Sequence, residues 1–179
     1  VDKAKFDGDL KYLDLVNIDD EGQATDSPVA FFVDLDTVST SSQTFTNGTT
    51  YPALLDSGTT LIYAPGEIAT TFGKKYGHKV PFVDMYFTSC NTVGEPVEFT
   101  FGDKIITVPF KDLLYHFNGK ASKSFLNQCL IGLVPNPSNY YILGDGFLRS
   151  AYVSYDLDDK KVGIAQVKYT DESEIELIQ

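Results

Sequence analysis

The stretch PALLDSGTTLIYAP, residues 52–65, sets one carboxylate, Asp56, inside an apolar and hydroxyl-rich run. Leu54 and Leu55 precede it and Leu61 and Ile62 follow, so both flanks read as strands entering a core. A carboxylate drawn out of water must be hydrogen-bonded, paired or protonated, or its desolvation goes uncompensated. The neighbours offer the first of these. Ser57, Thr59 and Thr60 bring three hydroxyls and Gly58 an unhindered backbone amide, which suits a tight turn that wraps donors around an acid. Such an acid is either a reacting carboxylate or the Asx turn of a plain strand-turn-strand corner. The triplet alone leaves both open, and the rest of the chain has to decide.

Other chemistries fall on spacing. His78 and His116 are too few and too isolated for a metal centre and read as surface or core-edge residues. NIDDEG, from residue 17, resembles the start of a calcium loop, but the twelfth position is Pro28 instead of Glu, and DLDDKKVG puts Lys where a ligand is needed. No G-x-S-x-G or Walker pattern occurs, so neither metal nor cofactor is expected. Cys90 and Cys129 lack the C-x-x-C spacing of a zinc site, and their even count favours a disulfide over two unpaired core residues. One usable sequon, Asn47-Gly48-Thr49, sits in a polar loop and makes Asn47 a glycosylation candidate, whereas Pro137 disables Asn136-Pro137-Ser138. Cysteines and sequon together point to an oxidising compartment, hence the secretory pathway.

The chain has 179 residues and a net charge of −11, from 14 Lys and Arg against 25 Asp and Glu. That balance excludes a nucleic-acid partner, whose phosphates require basic clusters, and here Lys74-Lys75 and Lys160-Lys161 are isolated pairs. An acidic surface suits cationic substrates, or simply a soluble protein in an acidic medium. No span reaches membrane length. Val1 opens no signal-peptide pattern, so the sequence is expected to begin within a mature protein or after processing.

The elements that must hold Asp56 read as an all-β fold. Strands are predicted over 6–17, 29–38 and the run that delivers Asp56, with a hairpin or surface excursion at 18–28 and a polar loop over 39–51. Ile68, Phe72 and Tyr76, four apart between Pro65 and Gly77, predict a short amphipathic helix. A hairpin turning at Gly102-Asp103 follows, then a helical turn in FKDLLYHF. CLIGLVP and YYILGDGF have the continuous apolar pattern of buried strands, and AYVSYDL and KVGIAQVKY close the core. Residues 171–179 read as an acidic, loosely held tail after a single unit over 1–170.

Read with YYILGDGFLRSAYVSYDL, the Asp56 motif becomes specific. An apolar pair before Asp-Ser-Gly-Thr-Thr, followed far along the chain by Ile142-Leu143-Gly144, resembles the C-terminal lobe of a bilobal pepsin-like aspartic protease. The likeness covers essentially the whole chain and is greatest to the fungal yapsins, with the candidapepsins as near relatives. It implies that Asp56 is one of two catalytic aspartates, with Ser57 tying the active-site loops together and Thr59 bonding the carboxylate. It further implies that Gly58, Thr59 and Thr60 touch the substrate backbone, that Leu54 lines a pocket, and that Gly144 lets a strand pass behind the loop. A second Asp-(Ser/Thr)-Gly is missing, so the likeness calls for an N-terminal lobe as partner, with peptides or proteins as substrates. A homodimer and a non-catalytic binding or inhibitor lobe are the alternatives. Yapsin likeness also implies cleavage next to Lys or Arg and a secreted or cell-surface location, with a lipid anchor beyond this stretch left open. Asp19, Asp20, Glu21, Asp26 and Asp145 are the acids offered for basic-residue recognition.

Overall fold

The structure, a computed structural model, describes residues 1–19, 21–80, 83–116 and 127–177. In chain order the strands are β1 (Phe6–Asp14), β2 (Phe32–Leu35), β3 (Thr37–Thr40), β4 (Gln43–Thr44), β5 (Tyr51–Leu55) and β6 (Ile62–Pro65). Helix α1 (Gly66–Tyr76) leads to β7 (His78–Lys79), β8 (Tyr86–Ser89), β9 (Val97–Phe101) and β10 (Lys104–Val108). A 3₁₀ turn at Phe110–Leu113 precedes β11 (Leu114–His116), β12 (Gln128–Ile131), β13 (Leu133–Asn136) and β14 (Tyr141–Leu143). The short helix α2 (Asp145–Leu148), β15 (Ala151–Asp156) and β16 (Lys161–Val167) complete the chain. The all-β expectation holds.

Among the described residues, four sheets share the work. The five-stranded sheet runs β13-β6-β14-β5-β2, and the others run β10-β9-β3-β4, β11-β12-β8-β7 and β1-β16-β15. Alternate residues of β5 and β6, namely Ala53, Leu55, Ile62 and Ala64, face the main core together with Phe99, Phe101 and Ile106 of the β9–β10 hairpin and Val162 and Ile164 of β16. The predicted helix lays Ile68 and Phe72 into that core, where the Phe72 ring meets those of Phe45, Tyr76 and Phe110. Burying one such ring stabilises by about 1.5–3 kcal/mol. The opposite face of the five-stranded sheet carries a small cluster of Ile18, Phe32 and Tyr140, with Leu54 and Ile142 packed against it.

The strand predicted over 29–38 is two strands in two different sheets. Asp36 marks the break: its carboxylate accepts from the Gly102 amide at 2.7 Å and the Thr50 hydroxyl at 3.0 Å, and its own N–H bonds Thr100 O. The polar run over 39–51 is likewise only partly a loop. It carries the end of β3 and all of β4, and the buried Thr46 hydroxyl accepts from Val38 N–H. FKDLLYHF is one 3₁₀ turn and then a strand, with Phe117 outside the described residues. The hairpin at Gly102-Asp103 forms as read, Gly102 taking the positive φ of +61° that its turn requires.

The tail is tied down as far as Glu176. Glu174 N–H and the Ser173 hydroxyl both donate to the Asp2 carboxylate, Ile175 bridges antiparallel to Asp2, and Lys3 pairs with Glu176 at 2.8 Å. The acidic composition that suggested looseness supplies the partners of an N-terminal lysine and leaves backbone groups free to bond. Cys90 and Cys129 form a disulfide between the end of β8 and β12, closing 39 residues of chain. Among the described residues no helix is long and apolar enough to cross a membrane.

Candidate active site

The loop that carries Asp56 joins β5 to β6, yet these strands are not neighbours in the sheet. β14 lies between them, parallel to β5 with Leu143 opposite Leu55, and antiparallel to β6 with Leu143 opposite Ile62. The loop therefore arches over the end of β14 and is bonded to it residue by residue. Asp56 N–H donates to Leu143 O at 3.2 Å, and Gly144, Asp145 and Gly146 N–H donate to Leu61, Thr59 and Thr60 O at 3.2, 2.8 and 3.1 Å. The Tyr115 hydroxyl adds a second donor to Thr60 O at 2.9 Å. Three successive loop carbonyls are thus fixed by one segment of chain.

Gly144 is where the two segments pass closest. A Cβ there would lie 2.5 Å from Leu61 O and closer still to Thr59 O, both backbone atoms with no room to move. Only glycine permits this crossing. The carboxylate it supports is half-buried and held at both oxygens: Gly58 N–H donates to Oδ1 at 2.8 Å and the Thr59 hydroxyl to Oδ2 at 2.5 Å. Each carboxylate oxygen can accept more than one hydrogen bond, so each keeps capacity for a water, a second acid or a substrate group. The arrangement fixes the plane of the carboxylate without using it up.

The residues singled out from the sequence are not all brought together. Asp56, Gly58, Thr59 and Gly144 lie together at the loop. Ser57 and Thr60 are exposed at the crest of the loop, and the Ser57 hydroxyl has no hydrogen-bond partner among the described residues. Leu54 points away from the main core, half-buried against the Ile18, Phe32 and Tyr140 cluster beside the loop. Of the acids, Asp19 accepts from Glu21 and Gln23 N–H and so shapes its own turn, Asp20 lies outside the described residues, and Glu21, Asp26 and Asp145 are exposed. Asn47 is exposed at a turn, with φ of +47°.

Three aromatic residues of the site are not apparent from the motifs. Phe31 O accepts Leu55 N–H, and its ring meets Tyr155 edge-on at 4.5 Å. Burial pushes the Tyr155 phenol up from its ordinary value, and the Asp56 carboxylate nearby adds to the rise. Tyr115 packs behind the loop under the Arg149 guanidinium, which caps the carbonyls of Asp112 and Asp145. His116, expected to be isolated, lies with Nδ1 at 3.5 Å from Cys90 Sγ. With Cys129 it forms a compact group of three potential metal ligands, but the two sulfurs are spent on each other.

The motif pair and its geometry agree with comparisons across known proteins. Residues 1–167 match the family model described as eukaryotic aspartyl protease. An acid protease of Saccharomycopsis fibuligera is 53% identical over 168 residues, covering 94% of this chain and 42% of that protein. Aspartic proteinase yapsin-3 of Saccharomyces cerevisiae is 35% identical, covering 100% of this chain and 35% of its own length. Secreted aspartic protease 9 of Candida albicans is also 35% identical, covering 99% and 33%. The chain thus spans between about a third and two-fifths of these curated relatives. With a matching model over nearly its full length and the Asp56 loop crossed by β14 as the motif pair requires, the chain belongs to the eukaryotic aspartyl protease family.

Proposed function

We propose that this chain is the C-terminal catalytic lobe of an aspartic endopeptidase and that Asp56 is one of its two catalytic carboxylates. The observation that carries the reading is the carboxylate itself, oriented by Gly58 N–H and the Thr59 hydroxyl on a loop whose carbonyls are locked to β14. Peptide hydrolysis by this chemistry needs two carboxylates that share a proton and hold a water. One takes the proton of the water as it attacks, and the other donates to the scissile carbonyl. This chain brings one of the two. The other belongs to an N-terminal lobe, in keeping with a chain that spans 42% or less of its relatives. Ser57 bonds that lobe and Gly58, Thr59 and Thr60 meet the substrate backbone, a reading supported by the exposure of Ser57, Gly58 and Thr60 and by a Ser57 hydroxyl without a partner among the described residues.

Substrates are peptides or proteins cut next to Lys or Arg, with Glu21, Asp26 and Asp145 as the exposed acids available on this lobe and a net charge of −11 behind them. The protein works in the secretory pathway or outside the cell, which accords with its Cys90–Cys129 disulfide and with relatives named as secreted proteases. Residues 1–170 form the lobe and 171–179 an acidic extension. The test is reconstitution: this chain alone is inert toward a peptide library, and addition of the N-terminal lobe restores cleavage. Hydrolysis by the rigorously isolated chain, blocked by a statine-type inhibitor, would replace the two-lobe reading with a homodimer. A reconstituted pair that binds peptides without cutting them would leave a binding lobe.

A further inference from the structure

At the end of the five-stranded sheet far from Asp56, a groove of about 480 Å³ opens between the Gln43–Tyr51 segment and the start of α1. Its size falls within the roughly 300–1,000 Å³ of small-molecule sites. Half-buried Tyr51 gives it aromatic surface, with the buried Phe45 beneath, while Gln43, Glu67 and Asn139 give it polar groups. Those three side chains have no hydrogen-bond partner among the described residues, so their donors and acceptors are available to an occupant. Asn47 stands on the rim of the same groove. It is exposed on a turn closed by Thr49 N–H to Thr46 O at 2.9 Å, with Asn47 and Gly48 both at positive φ. Asn47, Gly48 and Thr49 are the one usable sequon in the chain.

We propose that this groove is a saccharide site whose occupant is the first sugar of an N-linked glycan on Asn47. The inference rests on the secretory-pathway reading. In that compartment the Asn47 amide nitrogen displaces the pyrophosphate of a lipid-linked oligosaccharide at the anomeric carbon. A C–N bond forms, the C–O bond to pyrophosphate breaks, and the nitrogen loses one proton. The attached sugar begins within a few ångströms of the groove, so ordering it costs little translational freedom. Its C–H face meets the ring of Tyr51, and its hydroxyl and acetamido groups meet the amides of Gln43 and Asn139 and the Glu67 carboxylate. Location removes any conflict with catalysis. Tyr51 opens β5 and Asp56 follows its last residue, so the groove lies roughly 16 Å along the strand from the acid.

The experiment uses the full-length protease expressed through a yeast secretory pathway. Peptide mass spectrometry reads Asn47 occupancy, and endoglycosidase H is timed on native and on denatured protein. A seated glycan is trimmed about tenfold more slowly from the native protein, as expected if one or two hydrogen bonds and ring contact must first be broken. The double variant Gln43→Ala, Asn139→Ala, which removes no side-chain hydrogen bond among the described residues, abolishes most of that protection while peptide cleavage is unchanged. Secreted, disulfide-bonded protein with unmodified Asn47 overturns the site and leaves the secretory reading intact, whereas failure of the protein to be exported or oxidised overturns that reading itself. A glycan trimmed equally fast in both states, or protection that the double variant does not alter, overturns the groove as its seat.

Discussion

Asp56 has two donors and spare lone pairs, so its replacement by asparagine keeps the shape of the loop while removing the group that titrates. In the complete protease Asp56→Asn is expected to lower kcat by at least about 100-fold, the smaller end of what positioned acid-base groups contribute. The melting temperature should stay close to that of the parent. Turnover above a tenth of the parental value assigns Asp56 to structure. At Gly144 the reverse holds, because the residue touches no proton and everything depends on its lack of a side chain. Gly144→Ala drives a methyl into the carbonyls of Thr59 and Leu61. It should cost roughly 1–3 kcal/mol in denaturant unfolding, the range for overpacking, and should also disturb the loop that holds the acid. An alanine variant as stable as the parent means that β14 can retreat, and the close crossing is then not needed.

Elements are joined here by polar groups as much as by the core. Glu95, just before β9, accepts from the Ser41 and Ser42 hydroxyls of the β3–β4 turn, from Lys75 Nζ at 3.0 Å and from the Tyr76 hydroxyl at 3.2 Å, both at the end of α1. The serine hydroxyls first, and then Lys75, hold its carboxyl far below the usual range. A folded-state value below the unfolded one means that the stabilisation is complete above the ordinary glutamate value, near 4.3, and is lost progressively as pH falls from there through the depressed folded value. Glu95→Gln should therefore lower the melting temperature at about pH 5, with the gap between variant and parent closing as pH is taken from about 4 toward 2. A gap independent of pH removes charge from the explanation. This clamp also explains what the sequence conceals. Ser41 and Ser42 look like loop filler, and their partner lies 54 and 53 residues away. Apolar alternation made β5, β6, the β9–β10 hairpin and α1 legible, and the Asp-Ser-Gly and Leu-Gly pair made the Asp56 loop legible. The sheet change at Asp36, the role of Tyr115 and the anchoring of the tail each depend on a distant hydrogen bond, which leaves no periodic trace.

For the whole molecule, charge and shape act over different ranges. A net charge of −11 draws cationic peptides toward the protein at low salt, but such steering fades once the Debye length shrinks below about 10 Å. A pocket built from particular acids at contact distance persists. With the complete enzyme, preference for Lys or Arg at the cleaved bond is expected to survive at about 0.5 M salt even as cleavage slows overall. Loss of that preference reduces the acidic surface to a solvated face. The threading of β14 between β5 and β6 has a consequence in time as well as in space. Asp56 is synthesised long before Tyr141–Leu143, so over some 85 residues of its growth the chain carries its acid on a loop with nothing beneath it. Contacts of such separation in sequence form late. The Asp56 loop is therefore without its backbone partners until residues 143–146 have been made.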